Sequence, residues 1–169
     1  KNRAPLAQII LDSLSERLAQ AVSQADVIIV SEYVPAHEGG VMADAVREKI
    51  AALARTYPQK YFLTDSRPST ALYRNVIVKC NLREAMHALD LAHDENVAPD
   101  EIENIARRFE QLTGNPLFLT LGERGMLVCA QQQCTFVATL NEPGPIDIVA
   151  AGDSAISGIA CALGAGATF

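Results

Sequence analysis

Asp26-Val-Ile-Ile-Val30 is a short, continuous apolar run built from β-branched residues. Such a run is typical of a strand that is buried on both faces of a parallel sheet. Apolar residues spaced three to five apart from Leu6 to Ala25 predict an amphipathic helix directly before it. Strand-like and helical segments alternate along the rest of the chain. The sequence therefore predicts an α/β fold, a Rossmann-like three-layer α/β/α arrangement with a mostly parallel central sheet.

The other predicted elements follow the same alternation. The predicted strands are 26–30, 60–64, 75–79, 117–121, 125–130 and 134–137, and the predicted helices are 6–25, 41–56, 82–93, 98–113 and 152–163. The last two strands flank Gln131-Gln-Gln133 and predict a hairpin, which gives the sheet a mixed edge. Ligands of parallel sheets bind where strand ends lead into helices, so functional residues are expected there.

Composition limits the classes of function. The chain has 169 residues, of which 49% are hydrophobic, so it can bury a core and is not intrinsically disordered. The net charge is -6 and no stretch is strongly basic, so neither nucleic acid nor an anionic membrane is an expected partner. The longest apolar stretch, 154–169, is too short for a confident membrane span.

The four cysteines are Cys80, Cys129, Cys134 and Cys161. They form no CxxC pair and no histidine completes a metal set, so zinc is not expected. Scattered cysteines in a chain of this size predict reduced core thiols, and hence a cytoplasmic protein.

Asp147-Ile-Val-Ala-Ala-Gly-Asp153 is the most informative stretch for chemistry. The small residues Ala150 to Gly152 lead directly into a helix, whose first N–H groups and dipole favour a bound anion such as phosphate. Asp153 lies at the mouth of this turn, where a carboxylate can accept a proton from an attacking hydroxyl. The alternative is that Asp153 only caps the helix.

This stretch resembles the signature Asp-x-x-Gly-Ala-Gly-Asp of the PfkB (ribokinase-like) carbohydrate kinases. The matching residues are Asp147, Ala151, Gly152, Asp153 and the later Gly158. Ala150 departs from the pattern, because the family usually has glycine there. The change is mild if the φ angle is negative and serious if it is positive.

Two further motifs resemble the family in the right order. Asn81-Leu-Arg-Glu84 is similar to Asn-x-x-Glu, a pair that suits metal-bound water and nucleotide phosphate; the alternative is a helix capping box. Leu119-Thr-Leu-Gly-Glu-Arg-Gly125 is similar to the Thr-x-Gly-x-x-Gly segment that lines the nucleotide; the alternative is an ordinary hairpin turn.

Upstream stretches extend the resemblance. Residues 26–33 are similar to a strand that ends in Ser-Asp-Tyr, with Glu32 in place of Asp, and residues 62–67 to one that ends in Val-Asp-x-Arg or Val-Asp-x-Lys. The spacing from Tyr73-Arg74 to Asn81 is similar to the heptose-phosphate kinase branch. The resemblance covers the C-terminal part of the family's fold, so residues 1–169 are expected to form a single, partial ribokinase-like domain that carries the nucleotide-binding half.

The resemblance implies an ATP-dependent transfer of phosphate to a hydroxyl of a sugar or sugar phosphate. Asp153 is then the catalytic proton acceptor. The implied nucleotide- and phosphate-binding residues are Asn81, Thr120, Gly122, Gly125, Ala151 and Gly152. The implied metal-site residues are Glu84, for Mg²⁺, and Asp147, near a monovalent cation such as K⁺.

Two other functions remain open: a non-catalytic module that binds a nucleotide or a sugar phosphate, and a structural domain in which the motifs are relics. The family's lid and most of its sugar contacts lie outside the matched part. The isolated chain is therefore expected to be weakly active or inactive, because phosphoryl transfer requires exclusion of water. Sheet edges exposed by a missing part also predict a homodimer or aggregation.

Overall fold

A six-stranded sheet and five helices account for the regular structure within residues 6–34, 40–92, 94, 96–140 and 149–169, the part of the chain that this computed structural model describes. The strands are β1 (Val27–Glu32), β2 (Tyr61–Ser66), β3 (Ile77–Asn81), β4 (Leu117–Thr120), β5 (Met126–Ala130) and β6 (Gln133–Val137). The helices are α1 (Gln8–Gln24), α2 (Asp44–Thr56), α3 (Leu82–Ala88), α4 (Pro99–Thr113) and α5 (Ala151–Gly164). Most bounds agree with the predicted elements within three residues, but the helix predicted over 82–93 ends at Ala88.

The strand order is the order in the sequence, β1-β2-β3-β4-β5-β6. β1 to β4 are parallel, and β5 and β6 add an antiparallel hairpin, so the predicted mixed edge is confirmed. Right-handed crossovers that all step in one direction place their helices on the same face of a sheet. Accordingly, α2, α3 and α4 share one core, and α1 packs on α2.

α5 covers the opposite face, which completes the predicted three-layer arrangement. Its Ile156, Ala160 and Leu163 pack on Leu63 and Ile77 of the central strands. The end of α5 lies against the beginning of β1, whereas its first turn lies beside the end of β2. The helix therefore runs antiparallel to the strands, and its N-terminus lies at the carboxyl edge of the sheet. No helix in the described ranges is both long and apolar enough to span a bilayer.

The prediction of four reduced core thiols is wrong. Cys129 of β5 and Cys134 of β6 face each other in the antiparallel register and form a disulfide, with their Cα atoms 4.2 Å apart. Cys80 is a buried free thiol, and Cys161 is free but exposed. Cysteine usage therefore gives no support for a reducing compartment.

Candidate functional site

Polar side chains collect at the carboxyl edge of the parallel strands. Asp65 near the end of β2 lies opposite Lys79 of β3, and Asn81 lies opposite Thr120 of β4. The hydroxyl of Thr120 donates a hydrogen bond to the backbone carbonyl of Cys80, 3.2 Å away. Parallel strands end at the same edge, so these residues and the first turn of α5 are brought together, as the sequence predicts.

The first turn of α5 is open. Its N-cap residue, Ala150, has a left-handed backbone (φ 61°, ψ 13°) and contributes no side-chain cap. The first helical bond runs from Ser154 N to Ala150 O, so the preceding N–H groups of Ala151, Gly152 and Asp153 lie outside the helical pattern. A left-handed backbone costs an L-residue about 1–2 kcal/mol. Ala150 is therefore the serious departure from the family pattern, not the mild one.

Asp153 lies in this first turn and is exposed, but it does not cap the helix. Its Oδ1 accepts a hydrogen bond from the Tyr33 hydroxyl at 2.5 Å. That bond, followed by partial burial and the charge of Asp153, raises the pKa of Tyr33. The guanidinium of Arg67 lies over the Tyr33 ring, 5.3 Å from its centre. The carboxylate thus faces the carboxyl edge, where a hydroxyl group can reach it.

A buried ion pair lies directly beneath the first turn of α5. Lys79 Nζ is 2.7 Å from Asp65 Oδ2, and both side chains are 7% exposed. A Cβ placed on Gly152 would be 2.8 Å from Lys79 Nζ, so glycine lets the turn approach the ammonium closely. Lys79 is not among the site residues predicted from the sequence. The signal was a single charge within the buried strand Ile77–Asn81.

Asn81 and Glu84 form a reciprocal capping box at the start of α3. Glu84 N donates to Asn81 Oδ1 at 2.8 Å, and Asn81 N donates to Glu84 Oε2 at 2.9 Å. Burial raises the pKa of Glu84, and Asp65 adds to the increase, whereas the bond from Asn81 N and the charges of Lys79 and Arg67 oppose it. The predicted capping box is therefore present, whereas the metal and nucleotide roles of the pair stay predictions; the second carboxylate oxygen and the amide nitrogen lie outside the box.

The two glycines after β4 shape a tight hairpin loop. Gly122 has a φ angle of 63° and open space around it, whereas Gly125 has a φ angle of 106°. A Cβ on Gly125 would collide with the backbone carbonyl of Val137 in β6. The predicted hairpin turn is therefore present, and the role of this loop in lining a nucleotide stays a prediction. Of these two glycines, only Gly122 has open space beside it in which a ligand can lie.

Glu32, which replaces the family's aspartate, is buried and has a structural role. It accepts hydrogen bonds from Ser66 Oγ (2.7 Å) and Tyr73 Oη (2.9 Å), and Arg47 pairs with it at 3.3 Å. Burial, followed by the charge of Glu32, raises the pKa of Tyr73. This cluster fixes the end of β1 to the segment that follows β2. It thereby holds the position of the adjacent Tyr33.

Asp147 lies outside the described residues, so its placement beside a cation stays a prediction. Within the described ranges, no three His, Cys, Asp or Glu side chains group as metal ligands. Of the sites predicted from sequence, those at the carboxyl edge are Asn81, Glu84, Thr120, Gly122, Gly125, Ala151, Gly152 and Asp153. The structure adds Tyr33, Asp65 and Lys79.

The fold resembles solved structures of carbohydrate kinases. The tetrameric inhibited form of phosphofructokinase-2 from Escherichia coli matches with a TM-score of 0.74 and 20% identity, over 98% of this chain and 53% of that one. Ribokinase from Giardia lamblia matches with a TM-score of 0.65 and 16% identity, over 83% and 44%. Ribokinase from Thermotoga maritima matches with a TM-score of 0.63 and 17% identity, over 88% and 46%.

These identities establish the fold alone, and the chain spans about half the length of these structures. No curated protein matches the chain. The sequence itself matches the family described as pfkB family carbohydrate kinase over residues 3–169. The predicted ribokinase-like fold is thereby confirmed, and the chain belongs to the pfkB family of carbohydrate kinases.

Proposed function

We propose that this chain forms the nucleotide-binding and phosphoryl-transfer half of an ATP-dependent kinase that acts on a hydroxyl of a sugar or a sugar phosphate. The observation that carries the proposal is the open first turn of α5. Among the described residues, the N-cap Ala150 offers its N–H groups no capping side chain, and its carboxylate, Asp153, already accepts a bond from a hydroxyl group, that of Tyr33. We place the kinase in the cytoplasm, where ATP is supplied.

In the proposed reaction, Asp153 accepts the proton of the sugar hydroxyl. The hydroxyl oxygen forms a bond to the γ-phosphorus while the bond from that phosphorus to the bridging oxygen breaks, and ADP carries away the bridging oxygen's electrons. The N–H groups of Ala151, Gly152 and Asp153 stabilise the equatorial oxygens as charge spreads over them. Their position at a helix N-terminus adds the favourable end of the helix dipole.

Magnesium fits the residues of α3 through water. Mg²⁺ usually retains several waters and takes one or two carboxylates. Glu84 Oε1 and the Asn81 amide nitrogen are outside the capping box, so Glu84 can accept a hydrogen bond from a metal-bound water. A nearby cation also favours the charged form of Glu84, whose pKa burial raises. Bound Mg²⁺ supplies neutralisation of phosphate charge. Asp147 remains our proposal for a residue near K⁺.

The nucleotide is proposed to lie along the β4–β5 loop. Thr120 ends β4 next to Asn81, and Gly122 leaves open space in which a nucleotide can approach the backbone. Gly125 shapes the same loop through its contact with β6. Assignment to the heptose-phosphate branch stays a prediction, because it rests only on the spacing between Tyr73 and Asn81.

A second candidate is a non-catalytic module that binds a nucleotide or a sugar phosphate. The capping box favours it, because the side chains of Asn81 and Glu84 are already bonded to the start of their own helix. The left-handed Ala150 favours it as well, since the family pattern has glycine there. Under this alternative the chain binds MgATP but transfers no phosphate.

Titration calorimetry with MgATP, together with a phosphorylation assay over a panel of sugars and sugar phosphates, tests the proposal. Asp153→Asn is expected to bind MgATP like the wild type but to transfer phosphate about 10²–10⁴-fold more slowly. Asp100→Asn is the matched control, because Asp100 lies in the first turn of α4, another helix, and should not change turnover. Binding without transfer is expected of the isolated chain under either candidate, so it supports the module only if a polypeptide that supplies the other half of the fold also fails to transfer phosphate. Absence of MgATP binding would contradict both.

A further inference from the structure

The cross-link between β5 and β6 joins two cysteines that already face each other in the hairpin. Cys129 and Cys134 form the second residue pair outward from the two-residue turn, and their Cα atoms are 4.2 Å apart. The first pair beside such a turn is hydrogen-bonded and the second is not, and Cα atoms in a non-hydrogen-bonded pair lie about 4.5 Å apart. Strand pairing therefore brings the two thiol groups together whether or not they are bonded.

The hairpin has further support that does not come from the cross-link. The turn residues Gln131 and Gln132 have φ angles of 54° and 63°, as the common type I′ hairpin turn requires. Helix α4 holds this turn, because Gln132 N and Nε2 both donate to Glu110 Oε2, at 2.9 and 2.8 Å. Arg107 donates to the backbone carbonyl of Gln132, and Gln111 Nε2 donates to its side-chain oxygen at 2.8 Å. None of these contacts involves sulfur.

Stabilisation of the fold is a weak explanation for this disulfide. A cross-link stabilises mainly by restricting the unfolded chain, and the effect grows with the length of the loop that it closes. Cys129 and Cys134 are only five positions apart in the sequence. The bond therefore contributes less than a long-range cross-link would, in a hairpin that its turn and α4 already hold. Such a bond can open and close while the strands stay paired.

The two cysteines differ in their access to solvent. Cys129 lies in β5, between β4 and β6, and is fully buried. Cys134 lies in the edge strand β6 and is only partly buried, and its neighbours Gln133 and Thr135 are exposed. Thiol–disulfide exchange requires a thiolate to reach one of the two sulfur atoms, so its rate depends on access. A small thiolate can therefore reach Cys134 Sγ from the edge of the sheet, with Cys129 as the leaving group.

We infer that Cys129 and Cys134 form a reversible redox site, which a small dithiol opens and a small disulfide closes while the hairpin stays folded. A thiolate of the dithiol forms a bond to Cys134 Sγ, the bond between the two protein sulfur atoms breaks, and Cys129 Sγ leaves with the electron pair and gains a proton. The reductant's second thiolate then attacks its own sulfur in the mixed disulfide, and Cys134 leaves and is protonated in turn.

This exchange is balanced in both directions. During opening, the dithiol is oxidised to a disulfide, and the two cysteines gain two electrons and two protons. During closing, a small disulfide such as oxidised glutathione is reduced to two thiols, and the two cysteines are oxidised to the cross-link. The site goes beyond the proposed kinase function and does not depend on it.

The other two cysteines provide internal references for a test. Cys80 is free and fully buried, and burial raises the pKa of its thiol, so it should not react in the folded protein. Cys161 is free and exposed in α5, on the opposite face of the sheet from α4, so it should react in every state. Iodoacetamide, with mass spectrometry as the readout, is therefore expected to label Cys161 alone in the oxidised protein. In the reduced protein it should label Cys129 and Cys134 as well.

The rate at which dithiothreitol reduces the wild-type chain, followed by alkylation at timed intervals, tests the inference. The rate is expected to double when the dithiothreitol concentration doubles, and to change less than about twofold per molar urea below the unfolding transition. A bond that opens only in the unfolded chain would be reduced about fivefold or more faster per molar urea, because unfolding exposes a large surface. That result would overturn the inference.

Two measurements on the reduced protein test whether the site is reversible. Hydrogen exchange of the β5 and β6 amides is expected to stay within about tenfold of its rate in the oxidised protein. Oxidised glutathione is expected to restore labelling of Cys161 alone. Loss of protection throughout the hairpin, or failure of the cross-link to form again, overturns the inference.

Two single variants test which sulfur atom is attacked. In Cys129→Ala, the thiol of Cys134 is expected to form a mixed disulfide with oxidised glutathione. In Cys134→Ala, the thiol of Cys129 is expected to react about tenfold or more slowly, because it is fully buried. Cys161 gives the rate of an exposed thiol in the same sample. Equal rates for Cys129 and Cys134 overturn attack at Cys134, and the wild-type reduction rates decide the reversible site even if a variant fails to fold.

Discussion

The first turns of α3 and α5 begin from similar sequence patterns but form opposite structures. Each helix starts at the carboxyl edge of the sheet and carries an acid at its third position, Glu84 in α3 and Asp153 in α5. In α3, Asn81 is an extended N-cap, and it exchanges hydrogen bonds with Glu84. In α5, Ala150 is a left-handed N-cap without an acceptor, and Asp153 accepts a hydrogen bond from Tyr33, the residue directly after β1.

The difference shows that the N-cap residue decides what the acid does. When the cap side chain is an amide, the acid folds back on its own helix and the first turn is closed. When the cap is alanine, the N–H groups remain available to a ligand and the carboxylate can contact another group. An open turn forgoes the roughly 1 kcal/mol that a good cap contributes. The packing of α5 on β2 and β3 compensates for this loss.

The largest expected effect is on the closed turn. Asn81→Ala removes the acceptor for Glu84 N, and is expected to lower the free energy of unfolding by about 1 kcal/mol, within a range of about 0.5–2. Urea denaturation of Asn81→Ala and of a control variant, measured in parallel, checks this loss of stability. Asn104→Ala, at an exposed position inside α4, is the control and should change stability by less than about 0.5 kcal/mol. If Asn81→Ala and Asn104→Ala lower the free energy of unfolding equally, the capping box contributes nothing to stability.

A substitution at the N-cap of the open turn should instead raise the free energy of unfolding. Ala150→Gly relieves a left-handed backbone that costs alanine about 1–2 kcal/mol, less about 0.4–1 kcal/mol for the greater freedom of glycine in the unfolded chain. We expect the free energy of unfolding, measured by heat or urea denaturation, to rise by about 0.5–1 kcal/mol. Ala151→Gly, one residue later and inside the helix, should lose stability instead. A loss at both positions would contradict the strain at Ala150.

The sequence was sufficient to predict the strands, most helices and the hairpin, because these depend on local periodicity and turn residues. It also predicted the spacing that places Asn81 and Glu84 together, since their contact is local. The hydrogen bond between Tyr33 and Asp153 joins residues that are 120 positions apart in the sequence, so no local pattern predicts it. The positive φ of Ala150 was equally hidden, because alanine rarely adopts it.

Two other features, the buried Lys79 and the disulfide, were not predicted from the sequence, and each omission has a physical cause. Lys79 was passed over because a lysine inside a strand looks like an interruption until the register places it opposite Asp65. The disulfide was missed because scattered cysteines say nothing of pairing, although Cys129 and Cys134 flank a hairpin of known position. Both became evident only from strand pairing, which the sequence specifies globally rather than locally.

The pH dependence of stability sharpens the comparison further. Burial raises the pKa of Glu84 in the folded state, so its contribution to stability is present below the unfolded pKa and is lost as pH rises through the folded pKa. Glu84→Gln keeps an acceptor for Asn81 N and removes the charge. Relative to the wild type, the variant should gain stability between about pH 4 and about pH 7.

Urea unfolding at both pH values, without divalent cations, checks this effect. Glu123→Gln, at an exposed position in the β4–β5 loop, serves as the control and should show no such gain. A variant that loses stability relative to the wild type as pH rises would show that the charged form of Glu84 stabilises α3.

The smallest expected effect is spectroscopic and concerns the open turn alone. The hydrogen bond to Asp153, then burial and the charge of Asp153, raise the pKa of Tyr33 above the ordinary value of about 10. Ionisation of the phenol would break that bond and place two negative charges side by side. Asp153→Asn removes the charge, so the pKa of Tyr33 should fall, as followed by NMR titration of ¹³C-labelled tyrosine with Tyr33→Phe for assignment.

Tyr73 provides the internal reference for this titration, because burial and Glu32, rather than Asp153, raise its pKa. Its signal should be the same in the wild type and in Asp153→Asn. An unchanged Tyr33 signal would mean that the carboxylate of α5 does not hold the phenol in solution. Asp153 would then not have Tyr33 as its partner in solution, whereas a fall in the Tyr33 pKa shows that Asp153 accepts a hydroxyl donor at this edge before any sugar arrives.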